Sequence, residues 1–484
     1  MTDLIDKPVI LASSFTGLLI SLSLSKANID HILIGGDEPD DRPRLGESIS
    51  EQASFDFLRL LDAELRQYVH IKSHVSFLNG KTVSMVYPTN PHRTLDDLDL
   101  DRKSMNLWNM FDYVIHIERD KFDRVLYHKV KANPHCTFIH NTNAQIVHDP
   151  KSDRITAIQL DEDVCIEKPP YVFDATGPMG LVAQAAGVTK KAISDEERVV
   201  WTHHWRESSS PLPKVWWLCG TNILRLLEDV DGVDGAAWLI AMEDTISVGI
   251  SIDASTYPTE QFSRQDLIQT LDAAFARRGF AYSNDFPNTK PIAELCHEHF
   301  IRERAFGSNW LLAGTGYLQL WFPTAAGVVS TMWAARLAPR FLHEPLRTGH
   351  YYQQTQKALL STHNHIHHMV KGQPFTGASD AYRFLAKGGA HILAPSARTV
   401  RFVNGPSESF NLEDTIQEKL LSLVKKVEPS LLVPLMGGLF SVEEISTLAK
   451  QSQAFKRYFD YPLQNIENSI SVLPKFLSSK FALR

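Results

Sequence analysis

Apolar residues at positions 9–11 form a short run, small residues follow, and positions 17–27 carry a helical pattern. A second apolar run at 32–34 then ends at Gly35-Gly36. Strand, helix and strand in that order and length predict a βαβ unit, the building block of a parallel sheet. The polar stretch RPRLGES feeds a helix whose apolar positions include Phe55, Phe57, Leu58, Leu60 and Leu61. Positions 75–88 turn strand-like around Asn79-Gly80, a hairpin-turn dipeptide. A further helix is predicted at RDKFDRVLYHKV, and a β-hairpin within CTFIHNTNAQIVHDPKSDRITAIQL, turning at Asp149-Pro150. A strand at 171–173 runs into DATGPMG. From about 199 to 304, strands such as AAWLIAM and ISVGISI alternate with one helix, QDLIQTLDAAFARRG. Beyond about 344 the periodicity is mainly helical.

Composition narrows the class. The chain has 484 residues, 43% hydrophobic and 22% charged, which suits a folded protein of two or three domains. A net charge of -7 gives no basic footprint for nucleic acid. No apolar run approaches the roughly 18 residues of a membrane span. The start lacks a basic n-region and a small-residue cleavage site, so a cytoplasmic protein is expected. The four cysteines, Cys136, Cys165, Cys219 and Cys296, are scattered and fit reduced thiols.

Three blocks follow one another in an informative order: the βαβ opening with RPRLGES, then RDKFDRVL and VFDATGPMGLVAQAAGV, then WLLAGTGYLQLWFPTAAGVVSTMWAARLA. Together they resemble the flavoprotein monooxygenase and halogenase superfamily, most closely its tryptophan-halogenase-like branch, over the first three-quarters of the chain. The resemblance implies an α/β fold: a doubly wound, Rossmann-like FAD-binding domain interleaved with a β-sheet substrate domain, plus C-terminal helices. The expected segments are 1–70, 105–195 and 300–343 for the first, 71–104 and 196–299 for the second, and 344–484 for the helices.

A strand, a loop of tiny side chains and a helix let the backbone approach a pyrophosphate on the positive end of the helix. Here Ala12, Ser14 and Gly17 stand where the family has three glycines. The resemblance implies FAD held by Ala12, Ser14, Gly17, Arg44, Glu47, Ser48, Arg119, Asp174, Gly177, Gly314, Thr315 and Gly327. Several positions depart from the family. Gly36 occupies the place of the acidic ribose-binding residue, with Asp37 one step on. Thr315 replaces an aspartate, and Trp321-Phe322 replaces an aspartate-proline.

The expected activity is monooxygenase-type oxidation of an aromatic or conjugated small molecule in specialised metabolism, with Lys72, Glu47 and Trp321 as catalytic candidates. Reduced flavin would come from a partner reductase, because no nicotinamide fingerprint is visible. One alternative is a flavin-dependent halogenase in which Lys72 steers hypohalous acid. Against it, the W-x-W-x-I-P signature keeps only Trp238 and Ile240, with Ala236 and Ala241 elsewhere. Another alternative is a flavin-free descendant acting as a binding protein or a cofactor-independent cyclase or isomerase. Among 20 histidines, His363 and His367 would share a helix face, His297 and His299 one face of a strand, and His203-His204 precede Trp205. None completes a metal signature, and no metal is expected. A histidine serving as acid or base near the substrate remains an open choice among them.

Overall fold

The computed structural model describes residues 6–372, apart from 50, 73, 80–81, 87–93, 99, 101–113, 142, 162–163, 214, 216 and 321–324. Its organising element is a five-stranded parallel sheet in the order Trp310–Leu312, Val172–Asp174, Val9–Leu11, His31–Gly35, Cys136–His140. The three central strands are buried throughout, as near-continuous apolar runs in a covered parallel sheet must be. Leu11 lies beside both Ile34 and Asp174, and Asp174 beside Leu312, so these strands end level. The loops that leave them, at 12–14, 175–177 and 313–316, therefore emerge together along one carboxyl edge. Ligands of doubly wound folds sit at such an edge.

The helix Phe15–Lys26 follows the first strand and packs against the helix Ala326–Phe341, where Thr16 Oγ1 and Thr331 Oγ1 are 2.7 Å apart. Gly17 makes the tight entry into the first helix possible. A Cβ there would lie 2.0 Å from the carbonyl oxygen of Ala12. The sequence places Cys136–His140 in a hairpin, but this strand joins the parallel sheet beside His31–Gly35. The hairpin itself pairs Gln145–Asp149 with Arg154–Asp161, around the expected turn.

A nine-stranded sheet, almost wholly antiparallel, stands against the parallel one. Its centre runs Ala293–Arg302, Lys190–Trp205, Thr245–Asp253, Gly235–Ala241, Gly220–Leu226. His74–Asn79 then pairs parallel to Gly220–Leu226, and Thr82–Val86 pairs antiparallel to it, with Asn79 opposite Thr82. A small sheet of Ser48–Ile49, Ile115–Ile117 and Val69–Ile71 bridges the two larger layers. The helix Arg264–Ala276 covers the antiparallel sheet with Leu267, Ile268, Leu271, Ala274 and Phe275. Helix Pro345–Gly372 closes the described chain, and no described helix is long and apolar enough to cross a membrane. The expected helices beyond 372 lie outside the described residues.

Candidate active site

A cavity of about 630 Å³ opens where the carboxyl edge of the parallel sheet meets the antiparallel sheet. All three sequence blocks contribute to its wall: Ala12 and Ser14, then Ala175 to Gly177, then Thr315 and Gly327. Gly46, Glu47, Ser48 and Arg119 line it between them, and Thr221, Ile223, Trp238 and Ile240 face them from the large sheet. The volume lies within the range of small-molecule sites.

The helix Phe15–Lys26 presents its N-terminus to the cavity. Ser14 caps it, with Oγ accepting from the Gly17 amide at 3.3 Å and donating to the Ala175 carbonyl at 2.8 Å. That hydroxyl ties the first loop to the second, which no glycine at this position would do. Ala12 adopts φ +77°, a left-handed conformation in which glycine carries no penalty.

Arg119 is buried and forks onto Asp123, with Nε and Nη2 at 2.9 and 2.8 Å, while Nη1 donates to the Leu45 carbonyl at 2.7 Å. Its guanidinium lies 3.8 Å from the Phe15 ring centroid. Gly46, at φ +95°, leaves room for this arrangement, since a Cβ there would come within 2.7 Å of Arg119 Nη1. Arg44 is directed elsewhere: Nη2 bonds Asp40 Oδ1 at 3.0 Å, and the residue is not part of the cavity wall. Glu47 is buried in the wall, its Oε1 3.0 Å from His203 Nε2. Ser48 Oγ accepts from Lys72 Nζ at 2.7 Å. Lys72 is only 3% exposed and stands behind Ser48 rather than in the wall.

Asp174 spends its carboxylate on the loop. Oδ1 accepts from the Thr176 amide at 3.0 Å and Oδ2 from the Val182 amide at 2.8 Å. Burial pushes its carboxyl above the usual carboxylate range, against the opposing pull of these bonds. Gly177 and Gly314 both have positive φ, at 63° and 58°. Gly314 is gripped by its neighbours: its amide donates to Tyr352 Oη at 3.0 Å, and its carbonyl accepts from Ser330 Oγ at 3.1 Å. Thr315 and Gly327 meet across the wall, where a Cβ on Gly327 would lie 3.3 Å from Thr315 Cγ2. Trp321 and Phe322 lie outside the described residues.

Two histidines of the described strands reach the site. His297 lines the cavity, with Nε2 2.9 Å from the Leu320 carbonyl, and burial lowers its pKa. Its ring is 5.1 Å from that of His299, as two residues on one strand face must be. His203 holds Glu47. His116 was not singled out by the sequence, yet its Nε2 is 2.8 Å from Thr221 Oγ1 in the wall. The only local signal for it is the alternation in Ile115-His116-Ile117, which marks a strand and not a site. Among the described residues no group of histidine, cysteine and carboxylate side chains is arranged to hold a metal ion.

The backbone fits a flavin at the glycine positions: Gly17, Gly177, Gly314 and Gly327 keep the loops close and the space between them open. The ribose end fits less well. Asp37 points into solvent and bonds His140 Nε2 at 2.9 Å, so it does not stand in for the acidic residue missing at Gly36.

No family model matches the chain, and no curated protein matches its sequence. Solved structures do match. BrvH, a flavin-dependent halogenase from Brevundimonas sp. BAL3, is 12% identical with a TM-score of 0.58, over 95% of this chain and 96% of that one. The tryptophan 6-halogenase SttH from Streptomyces toxytricini is 14% identical with a TM-score of 0.57, over 78% of this chain and 84% of that one. PqsL of P. aeruginosa, solved with 2-aminobenzoylacetate, is 10% identical with a TM-score of 0.57, over 75% and 96%. At these identities the likeness is one of architecture. The chain therefore has the fold of the halogenase-like branch of the flavoproteins.

Proposed function

We propose that the protein is an FAD-dependent oxidoreductase that oxidises an aromatic or conjugated small molecule, with reduced flavin delivered by a partner reductase. The observation that carries this reading is the cavity of about 630 Å³, built jointly by three sequence-distant loops of the parallel sheet and by the antiparallel sheet. When bound, the flavin would supply the redox chemistry with molecular oxygen. The chain's own residues would do the rest. The amides at the start of Phe15–Lys26 would face the phosphates. Gly177, Gly327 and Thr315 would border the ring system. Ile223, Trp238 and Ile240 would offer an apolar wall on which an aromatic substrate can lie. Glu47, held by His203, would accept or return a proton at the cavity.

A halogenase reading has one observation in its favour, the burial of Lys72 one hydrogen bond from the wall. Lys72→Ala should then abolish halogen transfer while leaving flavin reduction intact. Unchanged product formation would remove the lysine from the chemistry.

The first test is titration of the purified protein with FAD in both oxidation states. A bound flavin absorption band supports the reading. Absence of binding by either state at high micromolar concentration rejects it and leaves a flavin-free binding protein or cofactor-independent catalyst on the same fold.

A further inference from the structure

A chain of polar side chains runs along one wall of the cavity. Lys72 Nζ is 2.7 Å from Ser48 Oγ, Ser48 Oγ is 3.3 Å from Thr221 Oγ1, and Thr221 Oγ1 is 2.8 Å from His116 Nε2. Ser48 and Thr221 line the cavity, and the two nitrogens stand behind them. Lys72 and His116 are 3% and 0% exposed. The placement follows from strand pairing: Ser48 lies opposite His116 in the small sheet, and Thr221 comes from the start of strand Gly220–Leu226 in the large sheet.

The direction of donation can be read from the inventory of each group. An ammonium only donates, so Ser48 Oγ accepts from Lys72 and keeps its own hydrogen for another partner. If His116 Nε2 carries a lone pair, Thr221 donates to it and its oxygen can accept from the cavity. If Nε2 carries the proton, Thr221 accepts from it and can donate to the cavity. With the Ser48 hydrogen donated to Thr221, the first state offers the cavity an acceptor, the complement of a hydroxyl's hydrogen. The second leaves one hydrogen of the Ser48–Thr221 pair free for the cavity, the complement of an oxyanion. One proton moving from ligand oxygen to Thr221 Oγ1, as the Thr221 proton moves to His116 Nε2, converts one state into the other. No electron changes hands.

We infer that Ser48 and Thr221 form a subsite for the hydroxyl of a hydroxyaromatic substrate, with His116 taking up its proton and Lys72 positioning Ser48. This deepens the oxidoreductase reading by naming a substrate class, and it rests on that reading only for the step that follows binding. Losing the hydroxyl partner in a desolvated pocket should weaken binding by about tenfold.

The test uses phenol and toluene, nearly equal in shape, titrated by calorimetry against the full-length protein with and without FAD. In Thr221→Val and Ser48→Ala the ratio of the toluene to the phenol dissociation constant should fall about tenfold, with toluene binding unchanged. Thr221→Ser should restore the ratio. No phenol binding by the wild-type protein, an unaltered ratio in both variants, or an equal loss for both ligands that Thr221→Ser fails to restore would each overturn the subsite. The FAD titration is read separately. A fallen ratio in a protein that binds no flavin keeps the subsite and rejects the oxidoreductase reading. An unaltered ratio in a flavin-binding protein does the reverse.

Discussion

At the level of single residues, the departures from the family pattern were legible in the sequence, but their consequences were not. Ala12 and Ser14 both replace glycine, yet they act differently. Ala12 adopts a left-handed backbone at φ +77°, whereas Ser14 becomes an N-cap and a cross-loop tie. Left-handed φ costs an L-residue roughly 1–2 kcal/mol. Ala12→Gly should therefore stabilise the protein by about 1 kcal/mol, less the extra chain entropy of glycine. Gly17→Ala is the opposite case, because its Cβ would meet the Ala12 carbonyl at 2.0 Å and force the helix away. It should cost about 1–3 kcal/mol, as overpacking does. Urea denaturation of both variants checks the pair, and a stabilised Gly17→Ala would show that the loop relaxes freely. For Arg44 the sequence could not foretell the outcome, since a guanidinium beside a carboxylate three or four residues away has a local partner as good as a distant ligand. Asp40 takes it.

At the level of elements, strong periodicity was readable and pairing was not. The helix expected at RDKFDRVLYHKV spans Arg119–Lys131, and QDLIQTLDAAFARRG gives Arg264–Ala276. Cys136–His140 was assigned to a hairpin because neighbouring strands usually pair. The parallel sheet takes it instead, as its edge strand beside His31–Gly35. Invisible in one dimension was the ion pair of Asp56, on helix Glu51–Leu60, with Arg336, on helix Ala326–Phe341, 280 residues apart. Burial pushes the Asp56 carboxyl up and the Arg336 guanidinium down, the mark of charges that have lost water. Removing one partner leaves the other stranded, so Arg336→Met should destabilise by about 3–5 kcal/mol. Replacing both, Asp56→Leu with Arg336→Met, should recover most of the loss. A double-mutant cycle by chemical denaturation measures this, and a double variant no better than the single one would show that the pair contributes more than mutual neutralisation.

At the level of the whole molecule, the order of three blocks foretold that distant loops would converge, because strands of one parallel sheet deliver their following loops to one edge. Part of the wall from the large sheet was beyond the reach of sequence: Thr221 and Ile223 belong to a strand with no motif, and only packing brings them opposite Ser48. If FAD occupies this shared cavity, it binds the folded protein and not the unfolded chain, so it must stabilise the fold by mass action. At a free concentration 100 times its dissociation constant the gain is about 2.7 kcal/mol. Gly327 offers a way to remove that gain with little change to the fold. It lies in the wall near the start of helix Ala326–Phe341, and among the described residues a Cβ there meets only the tip of Thr315, at 3.3 Å. Gly327→Val should leave the melting temperature without FAD near that of the wild type, since valine is tolerated in a helix better than glycine. Its branched side chain would fill the space beside Thr315, and the FAD-dependent rise should shrink or vanish. Thermal denaturation of both proteins across a range of FAD concentrations separates the cases. A rise of equal size in Gly327→Val would place the flavin away from this wall, and the cavity would then need another occupant.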